Sequence, residues 1–267
     1  MRLAAAFAVI VSHSFEIVGG PPESEPLRVL TNGDSSLGRV AVMTFFVLSG
    51  FLLTCSYRSD PSLAAFARKR ALRIAPALAA VVLFSIFVIG FAATTLSPRD
   101  YFRSEETWRY LANLAFYTGF DSLPGVFADA PIAGVVNGPL WTLKIEVLCY
   151  ATLAAAGATR LLRSGAVAAM VVLLYVASAF LGAGAHGGAL YYLEQYADLA
   201  RSFFAGSLFA LLGSRIALSR NTALLALAGL AVAAPYGLLS EVFPFLGGYL
   251  VFWLGFAHLG AVRRAGR

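Results

Sequence analysis

Two apolar runs, residues 40–57 and 76–96, flank a short segment that holds Arg58, Arg68, Lys69, Arg70 and Arg73 against one acid, Asp60. At about 1.5 Å of rise per residue, each run as a helix crosses, or nearly crosses, a hydrocarbon core of about 30 Å. Positive residues resist translocation, so a short basic loop between two spans stays on the cytoplasmic side. That assignment sets the orientation expected for every other span.

The composition agrees. With 59% hydrophobic and 13% charged residues, the chain is not a soluble globular protein, and one polytopic membrane domain over residues 1–267 is expected. The net charge of +6 is no nucleic-acid footprint, because the cations sit in short loops between apolar runs. Cys55 and Cys149 fall inside apolar runs and read as packing residues rather than a disulfide. These cysteines and His13, His186 and His258 have no metal-type spacing, so no metal is expected.

Apolar runs are read at residues 3–18, 40–57, 76–96, 139–159, 165–181, 199–212, 223–239 and 243–261. Basic loops follow the even-numbered runs and acidic or neutral loops the odd ones. The expected fold is an all-α, multi-pass membrane bundle of about eight transmembrane helices, both ends cytoplasmic. A secretory signal peptide has a similar basic and apolar start, but the histidine in its core and the missing Ala-x-Ala site argue against one. Residues 19–39 read as an external loop. In the long polar stretch 97–138, residues 107–120 read as an interfacial helix, with Trp108, Tyr110 and Tyr117 at the headgroups. Glu194 and Asp198 fall in the loop before the sixth span.

Ionisable groups inside apolar spans are costly, which makes them candidate functional residues. Arg2 and His13 lie eleven residues apart, three helical turns with about 20° left over, so they share a face roughly 16 Å apart along the axis. Arg2 is expected at the cytoplasmic mouth and His13 past mid-membrane. Taken alone, Arg2 also fits a positive-inside anchor, and His13 a satisfied buried histidine. Glu146 enters from the other side, roughly 10 Å inward from Pro139. It is expected near the depth of His13, where the two could act as a general-base pair. Thr142 and Tyr150 share the face of Glu146, four residues to either side. Lys144 points elsewhere and can snorkel outward. Trp141 fits a site residue or an interface anchor equally well. Arg68, Arg70 and Arg73 serve either as a topology signal or as phosphate contacts, the last two on one face if the helix continues through them.

Four segments in order resemble the acyltransferase-3 family of integral-membrane O-acyltransferases, which modify bacterial surface sugars. They are Arg2 and His13 as an Arg-x10-His pair, residues 45–52 (FFVLSGFL), Arg70-x-x-Arg73 with Ile74 and Pro76, and residues 138–146 (GPLWTLKIE). Residues 201–208 (RSFFAGSL) are a weaker echo. The resemblance implies transfer of an acyl group, usually acetyl, from cytoplasmic acyl-CoA to a hydroxyl of a surface carbohydrate or glycolipid. It implies His13 as the catalytic base or acyl carrier and Glu146 as a site carboxylate. Arg2, Arg68, Arg70 and Arg73 would touch the donor, and Trp141, Thr142 and Tyr150 the acceptor. Acyl-CoA would be a donor substrate and not a permanently bound cofactor, and the partners are the acceptor and the bilayer, with no nucleic acid. Lys144 stands where many members have serine. The family commonly has about ten spans and a late Ser-Tyr-Gly-x-Tyr segment, so truncation at the C-terminus is expected, and residues upstream of the arginine are also usual. The competing function is a transporter or flippase in which His13 and Glu146 relay protons, although no internal repeat is evident between the halves.

Overall fold

The apolar runs fold as helices, and the polar residues between them provide the caps. The computed structural model describes residues 1–18, 24–116, 122–131, 134–182 and 188–265, with backbone alone at Glu16 and 257–265. The chain opens with α1 (Arg2–Ile17), a short α2 (Pro26–Leu30), α3 (Leu37–Ser59) and α4 (Leu63–Phe84). A π-helical turn, Ser85–Gly90, carries α4 into α5 (Phe91–Ala93). The 31-residue rod from Leu63 to Ala93 is therefore about 46 Å long. Next come α6 (Pro98–Arg103) and α7 (Glu105–Arg109), then α8 (Trp141–Ala158) and α9 (Ser164–Gly182). The bundle ends with α10 (Ala189–Leu212), α11 (Arg220–Ala233) and α12 (Leu239–Ala265). The Ser36, Ser62 and Ser219 side chains each accept a backbone N–H three residues on, satisfying donors that a helix start leaves free.

This is an all-α, multi-pass membrane bundle; among the described residues, strand-like pairing is limited to the isolated bridges Thr94–Val126 and Ser122–Val135. Each of the eight expected runs is helical. Among the described residues, five helices are both long and apolar enough to cross a membrane: Leu37–Ser59, Leu63–Ala93, Gly138–Ala158, Ser164–Gly182 and Leu239–Phe256. The other three fall outside that set for separate reasons. α1 has 16 residues, α11 has 14, and α10 has 24 but carries Glu194, Asp198 and Arg201.

Several expectations change. The basic segment is no loop beyond 60–62: α4 starts at Leu63, so Arg68, Lys69, Arg70 and Arg73 occupy its first turns. Glu194 and Asp198 lie inside α10 rather than before it. The described residues of the stretch 97–138 pack against the rod, where Tyr101, Tyr110, Leu123, Val126 and Val136 share a core with Leu78, Val82 and Ile86. Tyr101 and Tyr110 are fully buried, and their hydroxyls donate to the carbonyls of Ile86 and Val136 at 2.9 and 2.8 Å. Ile86 belongs to the π turn, whose shifted ladder leaves carbonyls in need of donors. Trp108 remains 44% exposed, as an interfacial residue would, while Tyr117 and His258 fall outside the side chains described.

The bundle is organised by α3 against α10. A Cβ on Gly50 would stand 1.7 Å from the Phe203 carbonyl oxygen, and one on Gly206 would stand 2.0 Å from that of Val47. The two backbones touch where each helix offers a glycine to the other, as closely packed membrane helices require. Further along, Gly157 of α8 faces the Tyr57 ring, and Phe51, Phe209 and Phe252 join α3, α10 and α12. α3, α8, α10 and α12 consequently run parallel, and their basic ends or following loops (Arg58, Arg160, Arg163, Arg215) gather at one end of the bundle.

Toward the opposite end, four charges lock three of these helices. Arg39 donates two 2.8 Å bonds to Asp198 and one of 2.9 Å to Ser240. Arg201, with a side chain only 2% exposed, donates to Asp198 and Glu241 at 2.6 Å each, while its guanidinium lies over the Tyr175 ring. Two arginines and two carboxylates neutralise one another inside apolar helices, where an unpaired charge would be expensive.

Candidate functional site

Residues 45–52 serve packing and chemistry on successive side chains. Gly50 faces α10 and allows the backbone contact just described, while Ser49 faces α1 and α8. Arg2 Nη2 donates to Ser49 Oγ at 3.4 Å, and Ser49 Oγ donates to Glu146 Oε1 at 3.3 Å. The Tyr150 hydroxyl, one turn further along α8, donates to the same carboxylate oxygen. A guanidinium, a hydroxyl, a carboxylate and a phenol thus form one chain across three helices.

α8 is prepared for this by its start. Asn137 adopts a left-handed backbone (φ 59°), and the 3-10 turn Gly138–Leu140 puts Pro139 where a helix tolerates it best, at the entrance. The Thr142 hydroxyl donates to the Pro139 carbonyl at 2.9 Å. Glu146 then falls one turn below Thr142 and one above Tyr150, on a single face.

These residues line a cavity of about 530 Å³, with Arg2, Ser49, Arg73, Thr142, Glu146 and Tyr150 as its polar wall and Phe45, Phe46, Ile74 and Leu78 among its apolar lining. Its size is that of a small-molecule site. Arg2 and Arg73 both line it, so two cations share the cavity with one carboxylate. The Nε of Arg2 is buried with no hydrogen-bond acceptor. Such a donor leaves part of the guanidinium free for an anion.

Of the residues selected from sequence, Arg2, Arg73, Thr142, Glu146 and Tyr150 meet here. Arg70 lies on a neighbouring cavity, Arg68 is exposed on α4, and Trp141 is 42% exposed outside the walls. Lys144 points away from Glu146 and holds its ammonium 3.5 Å from the Tyr192 ring centroid.

His13 stands elsewhere. α1 runs antiparallel to α3, with Arg2 beside Ser49, and a Cβ on Gly38 would stand 3.0 Å from Ser12 Oγ. The imidazole is therefore level with the first turn of α3, about one turn beyond Val42 on the cavity wall. Glu146 shares the level of Arg2 and not, as expected from sequence, that of His13. The difference arises because α1 begins opposite the middle of α3, an offset that spacing within one helix does not contain. His13 Nδ1 lies 2.9 Å from the Val9 carbonyl oxygen. A carbonyl can only accept, so Nδ1 carries the hydrogen, and Nε2 of the neutral ring keeps its lone pair.

Ser49 was not selected from sequence, although a lone hydroxyl before a glycine in an apolar run is a visible signal. Nor was the Arg39–Asp198–Arg201–Glu241 network, whose members were assigned to loops or to a weak motif.

The sequence profile of the acyltransferase domain family matches residues 1–265. The chain belongs to this family. It is similar to an O-acetyl transferase of Shigella phage Sf6, 32% identical over 181 residues that cover 68% of this chain and 51% of that protein. It is also similar to nodulation protein 10 of Rhizobium leguminosarum bv. viciae, 32% identical over 163 residues, or 57% of this chain and 41% of that protein. The chain thus spans about half, or less, of the length of these curated relatives. No solved structure matches it. In this acyltransferase family member, the four segments noted in the sequence divide their labour. α1, α3, α4 and α8 build the cavity, and the glycine of the second segment fixes α3 on α10.

Proposed function

We propose that the protein is a membrane O-acyltransferase of the bacterial inner membrane. It moves an acyl group, acetyl in the simplest case, from cytoplasmic acyl-CoA to a hydroxyl of a surface carbohydrate or glycolipid. The observation that carries the reading is the Arg2–Ser49–Glu146–Tyr150 chain on the wall of a cavity that Arg73 also lines. The positive-inside bias puts the basic end of the bundle in the cytoplasm, the side on which acyl-CoA is found. Arg2 and Arg73, on the wall of the polar cavity, suit the donor's phosphates, and Arg68, exposed on α4, would meet them outside it.

From Arg2 to His13 the helix rises roughly 16 Å, a span within reach of an extended pantetheine arm. His13 Nε2 takes the proton of the acceptor hydroxyl as its oxygen attacks the thioester carbonyl carbon. The C–S bond breaks, and the CoA thiolate leaves and recovers a proton from the imidazolium. In the relay variant, Nε2 itself attacks the carbonyl, the C–S bond breaks and CoA leaves as the thiolate. The hydroxyl oxygen then attacks the acyl-imidazole, the C–N bond breaks, and the hydroxyl proton passes to Nε2, which releases it to balance the thiolate. Glu146, held by Ser49 and Tyr150, orients Arg2 and balances the cations, and Thr142 lines the acceptor side. The name of the phage relative, an O-acetyl transferase, supports O-acylation, and the exposed Trp141 would meet a sugar face.

Membranes containing the protein are expected to transfer label from radiolabelled acetyl-CoA to a carbohydrate fraction. His13→Ala should lower the rate by at least about 100-fold, the range of a lost general base. Transfer that persists unchanged in that variant would rule out the mechanism.

A further inference from the structure

Beside the site lies a second cavity, of about 580 Å³, between α4 and α8. Its floor is alanine: Ala67, Ala71, Ala75 and Ala79 recur every four residues along one face of α4, and Ala151 and Ala154 answer from α8. Among the described residues, one charged side chain lines it. Arg70 stands at the end nearer Leu63, its guanidinium about 5.9 Å from the Phe66 ring centroid, its Nε buried without an acceptor. Leu114 and Phe116 also line it, and Phe116 packs against the cluster of Leu78 at the other end. Ile74, Leu78 and Tyr150 line this cavity and the polar one alike, forming a shared wall. The Arg70-x-x-Arg73 pair therefore divides: Arg73 faces the site and Arg70 the apolar groove.

We infer that the groove seats one chain of an anionic phospholipid whose phosphate binds Arg70. Three observations select that occupant. Arg70 offers a cation with an unused buried donor at the end of an otherwise apolar surface, which suits an amphiphile with an anionic head and an alkyl tail. Arg58, Arg68 and Lys69 crowd the same end, as expected at headgroup level. From Arg70 to Ala79 the helix rises about 13.5 Å, close to half of a hydrocarbon core of about 30 Å, so the groove is as deep as one leaflet. The chain end meets Tyr150, Ile74 and Leu78 from behind and closes the site's wall toward the bilayer. This inference is independent of acyl transfer and would stand if the proposed reaction proved wrong.

The test is native mass spectrometry of the purified protein in detergent titrated with phosphatidylglycerol or phosphatidylcholine. Phosphatidylglycerol is expected to saturate at one molecule per chain and to bind at least about tenfold more tightly than phosphatidylcholine. Arg70→Gln should abolish that preference, Ala71→Phe and Ala75→Phe should each reduce binding of both lipids, and Lys69→Gln should change neither. Lys69 is the control because it pairs with Asp60 and does not line the groove. Three results would overturn the inference: equal binding of the two lipids, a preference retained in Arg70→Gln, or displacement of phosphatidylglycerol by excess CoA, which would assign Arg70 to the donor. Loss of a homodimer in Ala71→Phe with no bound lipid in the wild type would instead assign the groove to a second copy of this chain.

Discussion

At the scale of single residues, the cavity depends on a serine that does no chemistry of its own. Arg2 and Glu146 do not touch; Ser49 accepts from one and donates to the other. Hydrogen bonds to charged groups contribute about 1.5–3 kcal/mol each. Ser49→Ala should therefore cost roughly 10–100-fold in acyl transfer, mostly through a raised KM for acyl-CoA as Arg2 loses its anchor. Steady-state transfer from labelled acyl-CoA in membranes, normalised to protein amount, measures this, and unchanged kinetics would separate Ser49 from the site. Tyr150→Phe keeps the wall shared with the second cavity but removes a donor from Glu146, so its defect should be confined to rate, with lipid binding intact. Arg2, Arg73, Glu146, Thr142 and Tyr150 were legible because ionisable or polar groups on apolar helices have few other uses. Ser49 was not, since a hydroxyl can hide in a span by bonding its own helix, and only the neighbours Arg2 and Glu146 reveal its role.

At the scale of helices, existence was readable and relation was not. Hydrophobic runs mark where helices lie, and each of the eight runs is one. Their vertical offsets come from side-chain contacts between helices, which is why His13 and Glu146 sit at different levels despite plausible depths on their own spans. Tyr110, read from sequence as a headgroup residue, is buried for a related reason. Tyrosines suit both a headgroup region and a buried core, and only the carbonyls of Ile86 and Val136 distinguish the two. The α3–α10 contact yields a sharp expectation. Gly50→Ala drives a methyl into the Phe203 carbonyl, and Gly206→Ala does the same against Val47, so neither helix can accept it without moving apart. Each should destabilise the bundle by about 1–3 kcal/mol, as overpacking of a tight interface does. Gly165→Ala, with open space around the added carbon, should be neutral. Apparent Tm in detergent separates the two classes, and a neutral Gly50→Ala would contradict the backbone contact.

At the scale of the whole molecule, charge performs two different tasks at the two ends of the bundle. At one end the cations outnumber the acids, the asymmetry that the positive-inside bias acts on; toward the other they are neutralised and hold α3, α10 and α12 together. Asp198 is the hub of the second group, accepting from both Arg39 and Arg201. Removing a partner from a buried ion pair costs about 3–5 kcal/mol, mainly because the remaining charge is left unpaired. Asp198→Asn keeps the shape but leaves two guanidiniums facing an amide, and Arg201, 2% exposed, cannot turn to water. Glu241 offers less compensation because its own side chain is 44% exposed. Asp198→Asn should therefore lower the apparent Tm more than Arg39→Gln, which removes a cation whose side chain is 36% exposed and leaves Asp198 paired with Arg201. Adding Arg201→Met to Asp198→Asn should recover part of the loss, because the orphaned buried cation is then replaced by an apolar chain of similar length. A double variant less stable than Asp198→Asn alone would mean that Arg201 stabilises the bundle through Tyr175 and Ser178 rather than through the acids, and the network would then be a set of separate contacts and not one charge-balanced lock.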